Sequence, residues 1–74
     1  MKKLTANQHC VLLLRARVHT AENIAVRENL STSAVYSRMF KVYCKLGAWN
    51  MVDALRIALI NGILSVEDLK DDEF

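Results

Sequence analysis

The chain has 74 residues, 53% of them hydrophobic, with two glycines, no proline and a net charge of +2. That length suits one domain near the lower limit for a core that folds without staples, and an enzyme with its own pocket is not expected. Met1-Lys2-Lys3 opens like a signal peptide, but the apolar run 11–14 stops at Arg15 and Arg17. No stretch approaches the roughly 20 apolar residues that span a bilayer, so no membrane association is expected.

The elements are predicted in chain order from caps and periodicity. Thr5-Ala6-Asn7-Gln8 has capping-box form, which starts a first helix near Ala6; Val11, Leu12 and Leu14 give it an apolar side before it ends near Ala16 or Arg17. Thr20 caps a second helix from about Ala21 to Glu28, with Ile24 and Ala25 facing inward. Asn29-Leu30-Ser31 breaks the run: Asn tolerates the left-handed backbone of a tight turn, and Ser31 can cap the next helix. The third helix runs from about Thr32 to Leu46, with Val35, Met39, Val42 and Leu46 as one apolar stripe, and Gly47 stops it. Asn50 caps a fourth helix from Met51 to Asn61, ending at Gly62. Ser65-Val66-Glu67-Asp68 starts one more helical turn, and the acidic stretch 70–74 is expected to fray.

A short helix, a polar turn and a longer helix make a helix-turn-helix, a unit that mostly serves to put its second helix into a DNA major groove. An ordinary helical hairpin in a small bundle would show the same pattern. Charge is uneven along the chain. Residues 1–45 hold eight Lys/Arg against Glu22 and Glu28, a balance of +6; residues 46–74 hold Arg56 and Lys70 against six acids, a balance of −4. A basic front half suits a polyanion such as double-stranded DNA, although any single cation is as easily a solvated side chain.

At 100° per residue, the side of the third helix opposite its stripe carries Ser33, Ser37, Phe40, Lys41 and Cys44. Tyr36 and Tyr43 flank the stripe on one side, Arg38 and Lys45 on the other. The candidate DNA-binding residues are therefore Thr32, Ser33, Tyr36, Ser37, Arg38, Phe40, Lys41 and Lys45. Serines can bond base edges or phosphates, the cations can neutralise phosphates, and Thr32 lies where free N–H groups favour an anion. Phe40 can touch a thymine methyl. Yet a Phe, a Cys and a Tyr on an exposed face also suit a protein contact, because aromatics anchor such interfaces.

In the fourth helix Met51, Val52, Ala54, Leu55, Ala58 and Leu59 are expected to face the core. Ile57 and Ile60 then fall on the far side with Asp53 and Arg56, a candidate homodimer or partner interface; Leu64 or Phe74 folding back over them is the alternative. Trp49 is expected to cover the core edge between the last two helices, with a partner anchor as its alternative use. Cys10 and Cys44 lack CxxC spacing and fit a reducing cytoplasm. His9, Cys10, His19 and Cys44 do not have metal-site spacing, so neither a metal nor another cofactor is expected.

Over residues 4–64 the four helices resemble, without a gap, the DNA-binding domain of the LuxR/FixJ (GerE-like) bacterial transcription regulators. The markers are Leu4-Thr5, Val11-Leu12, Ile24-Ala25, Leu30-Ser31, Val35, Val42, Lys45-Leu46-Gly47, Asn50 and Ala54. The family usually has Glu where Gln8, Cys10 and Asn23 stand, Gly at Val18 and Asn29, Leu at Glu28, and basic or polar residues at Tyr36 and Phe40. The resemblance implies an all-α, four-helix domain whose third helix reads DNA and whose fourth often forms a dimer contact. It also implies a cytoplasmic transcriptional regulator of bacterial, phage or plasmid origin. The rival expectation keeps the scaffold but binds a protein, for example sequestering another transcription regulator.

Overall fold

The computed structural model describes residues 3–70, and these form α1 (Ala6–Ala16), α2 (Ala21–Glu28), α3 (Thr32–Leu46) and α4 (Met51–Ile60), followed by a short 3-10 turn at Glu67–Leu69. No strand occurs among the described residues. The predicted boundaries hold, except that Asn61 is the cap of α4 rather than part of it.

Every helix start is closed by the side chain the sequence points to. Thr5 Oγ1 accepts the Gln8 N–H at 3.2 Å while Gln8 Oε1 accepts the Thr5 N–H at 3.0 Å, a complete capping box. Thr20, Ser31 and Asn50 accept the N–H groups of Asn23, Ala34 and Asp53 at 3.1, 3.1 and 2.9 Å. Each such cap contributes about 1 kcal/mol.

The helix ends share one motif. A residue with positive φ follows each helix: Val18 (φ 68), Asn29 (φ 54), Gly47 (φ 71) and Gly62 (φ 71). The next N–H returns to the carbonyl five residues back: His19 to Leu14, Leu30 to Ala25, Ala48 to Tyr43 and Ile63 to Ala58, at 3.1, 2.8, 2.9 and 2.9 Å. This six-to-one bond satisfies carbonyls that a helix end leaves open. Glycine and asparagine accept the left-handed conformation at little cost, but the β-branched Val18 does not.

α3 is the centre of the fold and packs against α1, α2 and α4. Its stripe, Val35, Met39, Val42 and Leu46, is buried together with Val11, Leu12 and Leu14 of α1, Ala21, Ile24 and Ala25 of α2, and Ala54 and Ala58 of α4. The segment after α4 closes the base: Leu64 is buried in this core, the His9 Nε2–H donates to the Ile63 carbonyl at 3.1 Å, and the Arg17 Nε–H donates to the Asp68 carbonyl at 2.8 Å. No helix is long and apolar enough to cross a membrane.

Two expectations about α4 and its approach are corrected. Val52 is 79% exposed rather than facing the core, and Ile57 is half-buried against the core rather than in water; Ile60 alone of the predicted pair stays exposed. Ala54 and Ala58, four residues apart, set the phase, because small side chains let the α4 backbone approach its neighbours and leave Val52, Arg56 and Ile60 outermost. Trp49 does not cover the core edge: it is 91% exposed. Leu64 enters the core without covering Ile60, and the alternative cover by Phe74 lies outside the described residues.

Candidate nucleic-acid interface

α2, the Asn29 turn and α3 set the candidate surface. Because the stripe of α3 is spent on three neighbouring helices, its opposite side has nowhere to go but outward. Thr32, Ser33, Tyr36, Ser37, Phe40, Lys41 and Cys44 are all exposed. Six of the eight candidate residues thus share one open face, and the aromatic pair Tyr36 and Phe40 lies along it at helical spacing.

Arg38 and Lys45 do not belong to that face. Both are half-buried on the flank of α3. Lys45 Nζ donates to Gln8 Oε1 at 2.7 Å and to the Lys3 carbonyl at 3.3 Å, so it ties the end of α3 to the start of α1. Its amine is thus bonded within the fold rather than projecting beside Lys41. The basic front half is similarly drawn into the fold elsewhere: Arg15 Nη1 donates to the His19 carbonyl at 2.9 Å, and Arg17 holds the Asp68 carbonyl. Of the cations assigned to the α3 surface, Lys41 projects from the open face.

On α4, Asp53 Oδ1 accepts from Arg56 Nε and Nη2 at 3.1 and 2.9 Å, while Asp53 Oδ2 accepts the Trp49 N–H at 3.1 Å. The Arg56 guanidinium, and after it the Trp49 N–H, hold the Asp53 carboxyl below the ordinary carboxylate range. The two residues form an i, i+3 ion pair on the helix surface.

The residue that the sequence placed wrongly, Trp49, lines a groove of about 340 Å³ with Phe40, Tyr43, Cys44, Gly47 and Ala48. Periodicity could not reveal it, since Trp49 precedes the Asn50 cap and belongs to no helical face. The signal available was the Gly47-Ala48 turn, which frees the next side chain from any helix. Elsewhere, Cys10 Sγ–H donates to Glu28 Oε1 at 3.2 Å; partial burial, then the neighbouring carboxylate, push its thiol pKa up, which makes it a poor nucleophile. Among the described residues no three His, Cys, Asp or Glu gather as a metal cluster.

Compared with family models, curated proteins and solved structures, the chain matches none. A reading of this surface therefore rests on its own geometry: the described residues form an all-helical domain with four α-helices, in which one helix presents an open polar and aromatic face.

Proposed function

We propose that the chain is a small DNA-binding transcriptional regulator that lays the open face of α3 in the major groove, as in the LuxR/FixJ-type domains it resembles. The observation that carries this reading is the position of α3. It follows a capped short helix and an αL turn, buries one stripe against three helices and exposes the other side along its whole length. Thr32, Ser33 and Ser37 supply hydrogen-bonding groups at the N-terminal half, and Lys41 supplies charge further along. Tyr36 and Phe40 offer apolar contact to thymine methyl groups. Titration of mixed-sequence duplex at increasing salt tests it. Phosphate contacts release counterions, so affinity falls steeply as salt rises. No measurable affinity even at low salt sinks the reading.

A second reading draws on one specific observation. The exposed Trp49 beside Phe40 is the kind of aromatic pair that anchors a protein contact, which suits a scaffold that sequesters or modulates another regulator. Binding of another transcription regulator that is lost on mutation of both aromatics, with the fold retained, supports that class.

A further inference from the structure

Three exposed aromatic side chains follow the open side of α3 and the turn after it. Tyr36, Phe40 and Trp49 are 61, 66 and 91% exposed, and Phe40 and Trp49 line an open groove together with Tyr43, Cys44, Gly47 and Ala48. We propose that this patch is a self-association surface, in which two copies of the chain pair about a two-fold axis and each Trp49 enters the other's groove.

Three observations select a second copy as the occupant. First, a two-fold interface uses the same patch twice and must be self-complementary. This patch carries both an exposed ring, Trp49, and an open groove of about 340 Å³ beside it. Second, the charges are compatible with duplication. A two-fold axis brings like groups toward like groups: Asp53, the acid beside Trp49, is already bridged by Arg56 at 2.9 Å, and the exposed Lys41 beside Phe40 must lie away from the axis. Third, the area matches a definite class of complex. Aromatic side chains bury about 150–250 Å² each, so three rings with most of their surface exposed offer on the order of 500 Å² per copy. Doubled, that reaches roughly the 1,000 Å² threshold of a weak but specific interface and falls short of an obligate one.

Pairing here differs from association through the outer face of α4, which Ile57 has left thin by turning toward the core. It also has a consequence that rests on the DNA reading: Tyr36 and Phe40 belong to both surfaces, so the paired form covers part of the helix that would enter the groove. Self-association and duplex binding then compete.

Sedimentation equilibrium of the full chain, without DNA, is the test, so its result stands whether or not the chain binds a duplex. Wild type is expected to shift from monomer to dimer between about 10 µM and 1 mM. Trp49→Ala removes the ring, and Cys44→Arg fills the groove while leaving the ring; each is expected to weaken pairing at least tenfold. Both positions are exposed, and an unchanged helical melting curve confirms that the variants are folded. Ile60→Glu, on the outer face of α4, is expected to pair like wild type. A wild type that stays monomeric throughout, a Trp49→Ala chain that pairs normally, or an Ile60→Glu chain that does not pair would overturn the proposal.

Discussion

Lys45 Nζ and Gln8 Oε1 meet at 2.7 Å, joining the last turn of α3 to the first turn of α1 across 37 positions of sequence. The same oxygen accepts the Thr5 N–H at 3.0 Å, so one amide closes a capping box and holds a cation at once. Gln8 is a polar side chain buried at the edge of the core, and its burial makes these bonds matter: removing one partner of a buried bond costs more than the bond itself contributes.

Lys45→Ala is expected to destabilise the fold by about 1–2 kcal/mol. Gln8→Glu turns the amide into a carboxylate, the residue usual in the resembled family, and is expected to stabilise by about 0.5–1 kcal/mol near neutral pH. The sign of its pH dependence comes from the pairing. Lys45 lowers the folded pKa of the new carboxyl, so the gain is present above the unfolded value of about 4.3 and disappears as pH falls through the lower folded one. Chemical denaturation of the two variants at pH 7 and pH 3 measures this; a Gln8→Glu chain no more stable than wild type at pH 7 contradicts it.

Val18 sits in the left-handed helix-ending position that Asn29, Gly47 and Gly62 fill elsewhere, with φ 68 and 87% of its surface exposed. It is β-branched, has almost no packing to lose, and meets the backbone where such a side chain is strained. Val18→Gly is therefore expected to raise stability by about 1 kcal/mol, the relieved strain exceeding the entropy a glycine adds to the unfolded chain. For a domain of this size that is a rise in Tm of about 4–8 °C. A lower Tm would mean that the ending of α1 takes another form in solution.

The caps made the helix boundaries legible, because capping chemistry lies within three or four residues of the end it closes. The stripe of α3 was equally plain, since one apolar face alternates with polar neighbours. α4 offered no such contrast. With Met51, Val52, Leu55, Ile57, Leu59 and Ile60 around ten residues, several phases fit, and close approach at Ala54 and Ala58 decided which was real. The bond of Lys45 to Gln8 was not legible for a different reason: its partner lies far away in sequence, and a flank position looks the same whether its side chain reaches solvent or another helix.

Phe40 and Val35 lie on opposite sides of α3, 66% and 0% exposed. Phe40→Ala is expected to change stability by less than about 0.5 kcal/mol, whereas Val35→Ala is expected to lose about 2 kcal/mol or more through lost burial and a cavity. Paired melting curves check the phase of the helix directly. A large loss at Phe40 would place it in the core and move the whole candidate surface.

Asp53 gives an acid-side prediction. Its folded pKa is lowered, chiefly by the Arg56 guanidinium and then by the Trp49 N–H, so its stabilising contribution is present above the unfolded value of about 3.9 and is lost as pH falls through the folded one. The Trp49 backbone amide, which donates to Asp53 Oδ2 at 3.1 Å, should report that titration in an NMR shift series with a midpoint below about 3.9. Asp53→Asn should abolish the transition at that amide. A midpoint at or above the ordinary carboxylate value would remove the link between Asp53 and the turn that carries Trp49.

Lys41 and Lys45 lie four residues apart on α3, and a helical wheel alone would give them similar jobs. The structure separates them. Lys41 is exposed beside Phe40 on the open face, while Lys45 is half-buried and spends its donors on Gln8 and the Lys3 carbonyl. On the DNA reading, Lys41→Ala is expected to weaken duplex binding uniformly across sequences and reduce the slope of log affinity against log salt by about 1, as for one lost phosphate contact. Lys45→Ala should lower the melting temperature yet leave the salt slope of the folded protein unchanged, because its charge is held against α1 rather than offered to a phosphate. Measuring both quantities on both variants gives a crossed pattern: stability for one, salt dependence for the other. Equal loss of salt slope in the two variants would show that Lys45 leaves Gln8 to meet DNA, and would extend the contacting surface around the flank of α3 toward Arg38.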